Sequence, residues 1–333
     1  MAKILAEGRD LSKTFPARGQ GKGAVLHGVS QVDLVVYEGE TLALVGESGC
    51  GKSVTALSVL GLVPAGGQVT AGEICFQGRD LRQLSEKERR KLRGDRLAMI
   101  FQDPMTSLNP VYPVGRQVAE VLRLHRGMDR KSAKAKTIDL FRQVGIPDPA
   151  ARYDAYPREL SGGLRQRVMI AMAMACEPEL LLADEPTTAL DVTIQAQILD
   201  LLRNLKDRIN SSIMLITHDL GVIAEMADYV VVMYAGRVVE KGTVEEIFAH
   251  PSHPYTIGLM ASKPVVGKKV DRLYSIPGKV PNPVDMPNYC YFKDRCELQL
   301  PCCSGEYPCE ISLSPTHKVS CYRYYEENRK AGE

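Results

Sequence analysis

Long apolar runs are absent from this chain of 333 residues. No stretch approaches the roughly 18 consecutive apolar residues of a membrane-spanning helix, and the first residues lack the apolar core of a secretory signal. A strong charge of one sign is also absent, because 42 Lys and Arg oppose 40 Asp and Glu. The resulting formal charge of +2 gives no support to nucleic-acid binding through phosphate contacts. We therefore expect a cytosolic chain whose role at any membrane is peripheral.

The first 250 residues instead alternate strand-like and helix-like segments. Apolar segments at 40–46, 180–184 and 212–217 are typical of buried strands in a parallel sheet. Residues 52–62 and 192–208 carry helical patterns between them. Strand–helix–strand units of this kind predict a doubly wound α/β core.

Two regions have a different texture. Residues 103–168 are rich in Lys, Arg and Ala, with amphipathic patterns around Val114–His125 and Lys131–Val144, so we predict an inserted helical subdomain. After about Pro251 prolines become frequent, which predicts an extended, irregular arm. That arm leads into a cluster of cysteines between residues 290 and 321.

The residues Gly-Glu-Ser-Gly-Cys-Gly-Lys-Ser lie between a predicted strand and a predicted helix and match the phosphate-loop pattern G-x-x-x-x-G-K-S. The glycines let successive backbone N–H groups point inward, and the helix N-terminus adds partial positive charge. A glycine-rich turn that carries a lysine by chance fits this context less well. We predict that Lys52 reaches the β- and γ-phosphates of a nucleotide and that Ser53 ligates Mg²⁺, with Cys50 contributing its backbone only. The predicted nucleotide-binding loop comprises Gly46, Glu47, Ser48, Gly49, Cys50, Gly51, Lys52 and Ser53.

The apolar segment Leu180–Asp184 ends in two acidic residues. Asp184 falls at the carboxyl edge of the predicted sheet, where ligands of α/β folds bind, and it suits coordination of Mg²⁺. Glu185 suits polarisation of an attacking water. A solvated strand end is the ordinary alternative for an acidic pair, and the phosphate loop argues against it.

A third motif, Leu-Ser-Gly-Gly-Leu-Arg-Gln-Arg, begins at Leu160. Ser161 and the N–H groups of Gly162 and Gly163 open a helix there and form a second anion site. The motif resembles the signature sequence of ABC-transporter ATPases, with Leu164 where Met or Gln is often seen. A phosphate loop already serves one end of ATP, so the second site makes most sense facing the γ-phosphate of nucleotide held by another subunit.

The resemblance implies roles for four further residues. Phe15 resembles the aromatic residue that stacks on adenine, although an ordinary core aromatic is an equal alternative. Gln102 resembles the glutamine that senses Mg²⁺ and the attacking water and joins the core to the helical subdomain. Asp191 resembles the acid of the dimer-contact loop. His218, after a predicted strand, resembles the switch histidine that contacts the γ-phosphate.

Two strings narrow the resemblance to the oligopeptide/dipeptide/nickel importer branch: Phe-Gln-Asp-Pro-Met-Thr-Ser-Leu-Asn-Pro at Phe101–Pro110, and His-Pro-Tyr-Thr at His253–Thr256. This branch implies a P-loop NTPase (ABC ATPase) core with a parallel sheet, an antiparallel β subdomain and the inserted helical subdomain. The implied domains are an ABC ATPase domain at 1–251, with helical subdomain 103–168, and a C-terminal extension at 252–333.

The implied function is an ATP hydrolase that powers import of di- and oligopeptides. The implied partners are a second ATPase subunit, alike or different, two separate transmembrane permease subunits and, indirectly, an extracytoplasmic substrate-binding protein. The implied location is peripheral, at the cytoplasmic face of the inner membrane, with ATP and Mg²⁺ as ligands and no nucleic acid. Nickel or another small solute stays open as the substrate. An ABC ATPase of DNA repair or translation is the alternative from another class, and neither its heptad insertions nor a second nucleotide domain is visible.

Six of the nine cysteines lie between residues 290 and 321. A reducing cytosol disfavours disulfides, so a metal site is the more natural interpretation. The spacing of Cys290, Cys296, Cys303 and Cys321 resembles the four-cysteine extension of peptide-importer subunits that holds a [4Fe–4S] cluster. Structural zinc is the alternative, although zinc knuckles usually pair cysteines two to four residues apart and the first two gaps here are five and six. The choice between Cys302 and Cys303 as ligand stays open.

Overall fold

A computed structural model describes residues 3–17, 24–62, 67–188, 190–262 and 274–325. The strands are β1 Ile4–Pro16, β2 Val25–Tyr37, β3 Thr41–Val45, β4 Gln68–Phe76, β5 Arg79–Asp80, β6 Leu97–Ile100, β7 Leu180–Asp184, β8 Ser212–Ile216, β9 Tyr229–Tyr234, β10 Arg237–Thr243, β11 Ile311–Ser312 and β12 Lys318–Val319. The α-helices are α1 Lys52–Val59, α2 Glu86–Leu92, α3 Pro104–Ser107, α4 Val114–Arg126, α5 Arg130–Gln143, α6 Pro149–Arg152, α7 Gly162–Met174, α8 Val192–Ile209, α9 Leu220–Met226, α10 Val244–Ala249 and α11 Pro254–Ala261. Within these residues no helix is both long and apolar enough to cross a bilayer.

The described chain forms two compact units, and the first contains a parallel sheet. This unit comprises Met1–Leu5, Val36–Thr41 and Gln83–Ile216. In it β7 pairs in parallel with both β6 and β8. Every residue of β7 and β8 is buried, which confirms the two apolar segments as interior strands.

The same unit contains the helices predicted from amphipathic patterns, which α4 and α5 confirm. The left-handed Gly127 ends α4, and the Asp129 side chain caps α5 by accepting the backbone N–H of Ser132 at 2.8 Å. Val118, Leu122, Leu140 and Phe141 are among the buried apolar residues of the two helices. The short α3 and α6 and the start of the longer α7 are the other α-helices described within residues 103–168.

The second unit comprises Ala6–Val35, Leu42–Arg82 and Thr217–Glu333 and contains antiparallel pairing. One of its sheets has the strand order β2-β1-β4-β5. Elsewhere in the unit β3 runs parallel to β9, and β9 forms a hairpin with β10. The C-terminal strand β12 adds to β10 on one side and to β11 on the other, both antiparallel. Mixed parallel and antiparallel strands agree with the predicted fold class.

The prediction of an extended arm after Pro251 is wrong for its first part. Helix α11 begins at Pro254, and the Nδ1 atom of His253 caps it by accepting the N–H of Tyr255 at 3.0 Å. A proline in the first helical turn is a start signal as well as a breaker, and the frequency of prolines concealed it. Over residues 274–325 the chain is irregular apart from β11, β12 and short 3-10 turns. The domain boundaries at 251 and 252 stay predictions.

Helix α11 packs against other elements of the second unit through aromatic rings. Tyr255 is fully buried, and its ring centroid lies 4.8 Å from that of Tyr234 on β9 and 5.5 Å from that of Phe292. The rings of Tyr234 and Phe292 meet edge to face at 5.2 Å. Pairs of this kind contribute about 0.5–1.5 kcal/mol each beyond area burial. They join the segment after residue 251 to the strand beside β3.

Candidate functional site

The loop between β3 and α1 is shaped by glycines with positive φ. Gly51 has φ 99°, and a Cβ atom there would lie 2.7 Å from the carbonyl oxygen of Gly28. Gly46 has φ 153°, and its Cβ would lie 2.2 Å from the carbonyl oxygen of Met233. No side chain fits at either position, because the obstacle is backbone in both cases. The loop therefore curls as a phosphate loop requires.

Lys52, the first residue of α1, lies inside this curl. Its Nζ donates hydrogen bonds to the carbonyl oxygens of Gly46 at 2.7 Å and Glu47 at 3.1 Å. The side chain is only 6% exposed, whereas Ser48 and Gly49 at the tip of the loop are exposed. The ammonium group is thus held under an open loop, a geometry that suits phosphate binding.

Cys50 has no room for a reactive role. It is 1% exposed, and burial raises the pKa of its thiol above the usual range, although neighbouring Lys52 acts in the opposite direction. A buried, protonated thiol is a poor nucleophile. The thiol is thus unsuited to a redox or nucleophilic role, and the contribution of the Cys50 backbone to the site stays a prediction.

Phe15 and His218 lie in the same unit as the phosphate loop. Phe15, near the end of β1, is half-buried, and the buried ammonium of Lys13 lies 5.4 Å from its ring centroid. Burial lowers the pKa of Lys13 to about 8. His218 is exposed. It follows Thr217, whose backbone N–H donates a hydrogen bond to the carbonyl oxygen of Leu44 on β3 at 3.4 Å. Their predicted roles toward adenine and the γ-phosphate stay predictions.

The first unit brings two other predicted residues together. The Nε2 atom of Gln102 donates a hydrogen bond to Oε2 of Glu185 at 2.8 Å. The hydroxyl of Thr188, which sequence reasoning missed, donates to the same oxygen at 2.8 Å. Glu185 has φ 46°, a left-handed conformation that non-glycine residues rarely adopt and that is found often at functional sites. Asp184, immediately before it, is 5% exposed at the end of β7.

Ser161 caps α7. Its Oγ accepts the N–H of Leu164 at 3.4 Å, and both Ser161 and Gly162 are exposed. Asp191 caps α8 in the same way, accepting the N–H of Ile194 at 2.9 Å. A Cβ on Gly163 would lie 3.1 Å from Ile194, so α7 and α8 begin close together. The helix start predicted at the signature motif is confirmed, and its role toward nucleotide stays a prediction.

The four predicted cysteine ligands lie near one another in the second unit. The pKa of Cys290 is raised to about 12, chiefly by burial and in addition by the nearby thiols of Cys303, Cys321 and Cys296. Burial likewise raises the pKa of Cys321 to about 11, with added effects of Cys296 and Cys303. All nine cysteines lie in described parts of the chain, and none forms a disulfide. Among the described residues no group of three or more His, Cys, Asp or Glu side chains converges to hold a metal ion.

Two residues that contact the phosphate loop were missed by sequence reasoning. Tyr255 and Arg295 both bind Glu47, although they lie 208 and 248 residues further along the chain. The string His253–Thr256, which contains Tyr255, indicated only the resemblance to a family and not a contact with the loop. No local pattern singles out Arg295, since its significance depends on a contact that folding creates.

Known proteins with the same fold define the class. One match is the dimeric post-hydrolysis structure of the ATP-binding cassette MJ0796 bound to ADP and Pi, with TM-score 0.65 and 26% identity over 72% of this chain and 99% of that one. Another is cbiO1 from Clostridium perfringens, part of an ABC transporter complex, with TM-score 0.61 and 25% identity over 74% of this chain and 92% of that one. Residues 29–188 match the family described as ABC transporter. The fold and the phosphate loop are therefore those of an ABC ATPase.

Sequence relatives define the branch. Residues 239–303 match the family described as oligopeptide/dipeptide transporter, C-terminal region. The chain is 50% identical over 301 residues to the dipeptide transport ATP-binding protein DppD of Escherichia coli, covering 90% of this chain and 92% of the relative. It is 49% identical over 300 residues to the oligopeptide transport ATP-binding protein AppD of Bacillus subtilis, with the same coverage. It is 50% identical over 324 residues to the probable peptide ABC transporter ATP-binding protein y4tR of Sinorhizobium fredii, covering 97% and 96%. The chain belongs to the ATP-binding subunits of the oligopeptide/dipeptide ABC transporter family.

Proposed function

We propose that this chain hydrolyses ATP to power import of di- and oligopeptides through two separate transmembrane permease subunits. The observation that carries the proposal is the glycine-rich loop whose carbonyl oxygens accept hydrogen bonds from Lys52. The substrate class is supported by the identity of about 50% to relatives named for dipeptide and oligopeptide transport. In this role the chain acts at the cytoplasmic face of the inner membrane as a peripheral subunit. An extracytoplasmic binding protein supplies the peptide.

The proposed nucleotide site uses the predicted residues in separate roles. Lys52 and the loop N–H groups bind the phosphates, and the ring of Phe15 stacks on the adenine. Oxygen atoms of Ser53, Gln102 and Asp184 are suitable ligands for Mg²⁺, which prefers hard oxygen donors and neutralises phosphate charge.

Hydrolysis in this proposal depends on Glu185, which orients and polarises the attacking water. The hydrogen bonds from Gln102 and Thr188 hold its carboxylate in one orientation, and preorganisation of this kind lowers the cost of reaching the transition state. His218 contacts the γ-phosphate.

The proposal includes a second ATPase subunit, either a copy of this chain or a related one. The exposed start of α7, with Ser161, Gly162 and Gly163, would contact the γ-phosphate bound to that partner. Asp191 lies at the start of α8, beside this position. The dimeric cassettes among the structural relatives support such a pair.

We assign permease binding to the segment 103–168. Four large apolar side chains are exposed there: Leu124 at 75% and, nearer to Gln102 in the sequence, Met105 at 62%, Val111 at 69% and Tyr112 at 54%. Exposed apolar clusters are typical of interaction sites, and this one follows directly after Gln102, the residue bonded to Glu185. Permease contact would thus act close to the hydrolytic carboxylate.

The test is ATP hydrolysis by the complete complex in liposomes, with its binding protein loaded in turn with dipeptide, oligopeptide or Ni²⁺. We expect peptide-loaded binding protein to stimulate hydrolysis and Ni²⁺ to leave it at the basal rate. Stimulation by Ni²⁺ alone would overturn the substrate class. Co-purification with ribosomes or DNA instead of permeases would overturn transport itself.

We propose further that Cys290, Cys296, Cys303 and Cys321 hold a [4Fe–4S] cluster. The spacing of the four cysteines supports this ligand set, and Cys296, Cys303 and Cys321 lie close enough to Cys290 to affect the pKa of its thiol. Cys303 and Cys321 are buried, and Cys290 and Cys296 are half-buried. In the described residues the four side chains do not converge as metal ligands, so binding of the cluster would have to draw them together. Anaerobic purification followed by iron, sulfide and zinc analysis tests it, with the exposed Cys309 changed to Ala as control. Equal iron and sulfide that disappear in Cys303→Ala and persist in Cys309→Ala are expected. Finding one zinc ion per chain and no sulfide would overturn the cluster assignment in favour of a structural zinc site.

A further inference from the structure

The second residue of the phosphate loop, Glu47, is bound by side chains from the segment after residue 251. The Oη atom of Tyr255 accepts the backbone N–H of Glu47 at 2.8 Å. The guanidinium of Arg295 donates two hydrogen bonds to the Glu47 carboxylate, from Nη1 at 2.6 Å and from Nη2 at 3.0 Å. Neither contact has a part in the function proposed above.

Arg295 is held rigidly. Its side chain is 5% exposed, and Nε donates to the carbonyl oxygen of Pro277 at 2.7 Å. Nη1 also donates to Oη of Tyr234 at 3.3 Å, and the guanidinium lies 5.9 Å from the ring of Phe292. A surface ion pair between flexible side chains contributes little. Here a planar fork is already oriented, so the bidentate pair is formed at a small entropic cost.

The charge of Glu47 gives this pair a consequence for ligand binding. A phosphate loop must accept a polyanion, and a carboxylate directly after Gly46 opposes that by like-charge repulsion. Pairing with Arg295 neutralises the carboxylate of Glu47 and holds the Glu47 side chain against the guanidinium. Without Arg295 the loop would retain an uncompensated negative charge.

We propose that Arg295 is a positioning residue of the nucleotide site: through Glu47 it neutralises and fixes the start of the phosphate loop so that the loop binds a nucleoside triphosphate. The inference rests on the proposed function, since it assumes that the loop binds ATP. The C-terminal segment then serves the ATPase site of its own chain, in addition to any metal it holds.

The experiment compares ATP affinity and steady-state kinetics of the complete complex carrying Arg295→Ala, Arg295→Lys, and Arg295→Ala combined with Glu47→Gln. The matched control is Lys293→Ala, a cation in the same 3-10 turn that contacts Ser304 and the ring of Tyr289. We expect Arg295→Ala to weaken ATP binding about tenfold, raising KM more than it lowers kcat, and to weaken AMP binding much less. Arg295→Lys should retain most of the affinity because it keeps the charge. The double variant should recover most of the loss because it removes the repelling carboxylate.

ATP affinity in Arg295→Ala equal to that of Lys293→Ala overturns the inference. A double variant no better than Arg295→Ala overturns the charge argument. Should Arg295→Ala fail to assemble, Arg295→Gln replaces it, because it keeps a hydrogen-bond donor and removes the charge; ATP affinity in Arg295→Gln equal to that of Lys293→Ala would then overturn the inference. Failure of the proposed function looks different: Lys52→Ala would then bind ATP as well as the unmodified complex does.

Discussion

The phosphate loop and the start of α7 both present backbone N–H groups suited to phosphate, yet the chain treats them differently. The loop encloses the buried side chain of Lys52, and Tyr255 and Arg295 bind its Glu47. The start of α7 is exposed, and its Ser161 is engaged locally with Leu164. One anion site is thus built and braced within the chain, whereas the other faces outward.

This difference has a direct physical meaning for a two-subunit ATPase. A braced loop binds nucleotide with little reorganisation, so binding needs only the chain's own residues. An exposed helix start satisfies few of its N–H groups internally and is accessible to a ligand carried by another molecule. Under the proposed two-subunit arrangement, we expect nucleotide binding to need only the single chain and fast hydrolysis to need the assembled pair.

The largest expected effect separates hydrolysis from binding. Glu185→Gln keeps the hydrogen-bonding shape of the side chain and removes the charge that polarises water. We expect turnover by the complete complex to fall by about 10²–10⁴-fold, with ATP affinity unchanged. Turnover is measured as the rate of ATP hydrolysis, and ATP affinity is measured by equilibrium binding. Unimpaired turnover would contradict the role assigned to Glu185.

A smaller effect tests the outward-facing site. Ser161→Ala removes the cap of α7, which costs about 1 kcal/mol of stability, and a hydrogen bond to the partner's nucleotide worth about 1.5–3 kcal/mol. Turnover should therefore fall by roughly 10–100-fold. The control is Asp129→Ala, which removes the cap of α5 and should reduce stability similarly while sparing turnover. Equal turnover in the two variants would leave Ser161 with a capping role only.

The braced loop is tested through its glycines. Gly51→Ala and Gly49→Ala both place a side chain at positive φ, at 99° and 80°, which costs about 1 kcal/mol or more. Only at Gly51 does the new Cβ also meet backbone, whereas nothing lies within 4 Å at Gly49. We expect Gly51→Ala to lower the free energy of unfolding by about 2 kcal/mol more. Chemical denaturation measures both. Equal losses would show that the loop is less constrained than its contacts indicate.

Acid should weaken the support of the loop. Burial lowers the pKa of His253, the cap of α11, to about 3, so the unfolded chain takes up this proton near pH 6.5 and the folded chain does not. Stability from this residue is complete above pH 6.5 and is lost by about 1.4 kcal/mol per pH unit as pH falls toward 3. Denaturation of His253→Asn, which keeps a cap but cannot titrate, should show a correspondingly weaker pH dependence. Identical pH dependence of stability in the unmodified protein and in His253→Asn would show that titration of His253 does not contribute to the loss of stability in acid.

Much of the site follows from short-range patterns. The phosphate-loop spacing, the buried strands β7 and β8, the helix start at Ser161 and the helix α8 were each predicted within a few residues of their places. Such features depend on periodicity and capping, which neighbouring residues determine. Helix α11 was missed because its prolines were interpreted as breakers rather than as a start signal.

The amino-acid sequence by itself determined the class of this protein, because glycine spacing, strand hydrophobicity and helix caps act over a few residues. Only the tertiary structure decided that Glu185 takes a left-handed conformation between Gln102 and Thr188, and that Arg295 pairs with Glu47. The Gln102–Glu185 and Arg295–Glu47 pairings join residues that are 83 and 248 positions apart in the chain. Two charged side chains that are distant in the chain meet, and are shielded from water, only when folding buries both of them. The residues around either side chain in the sequence therefore do not reveal the contact.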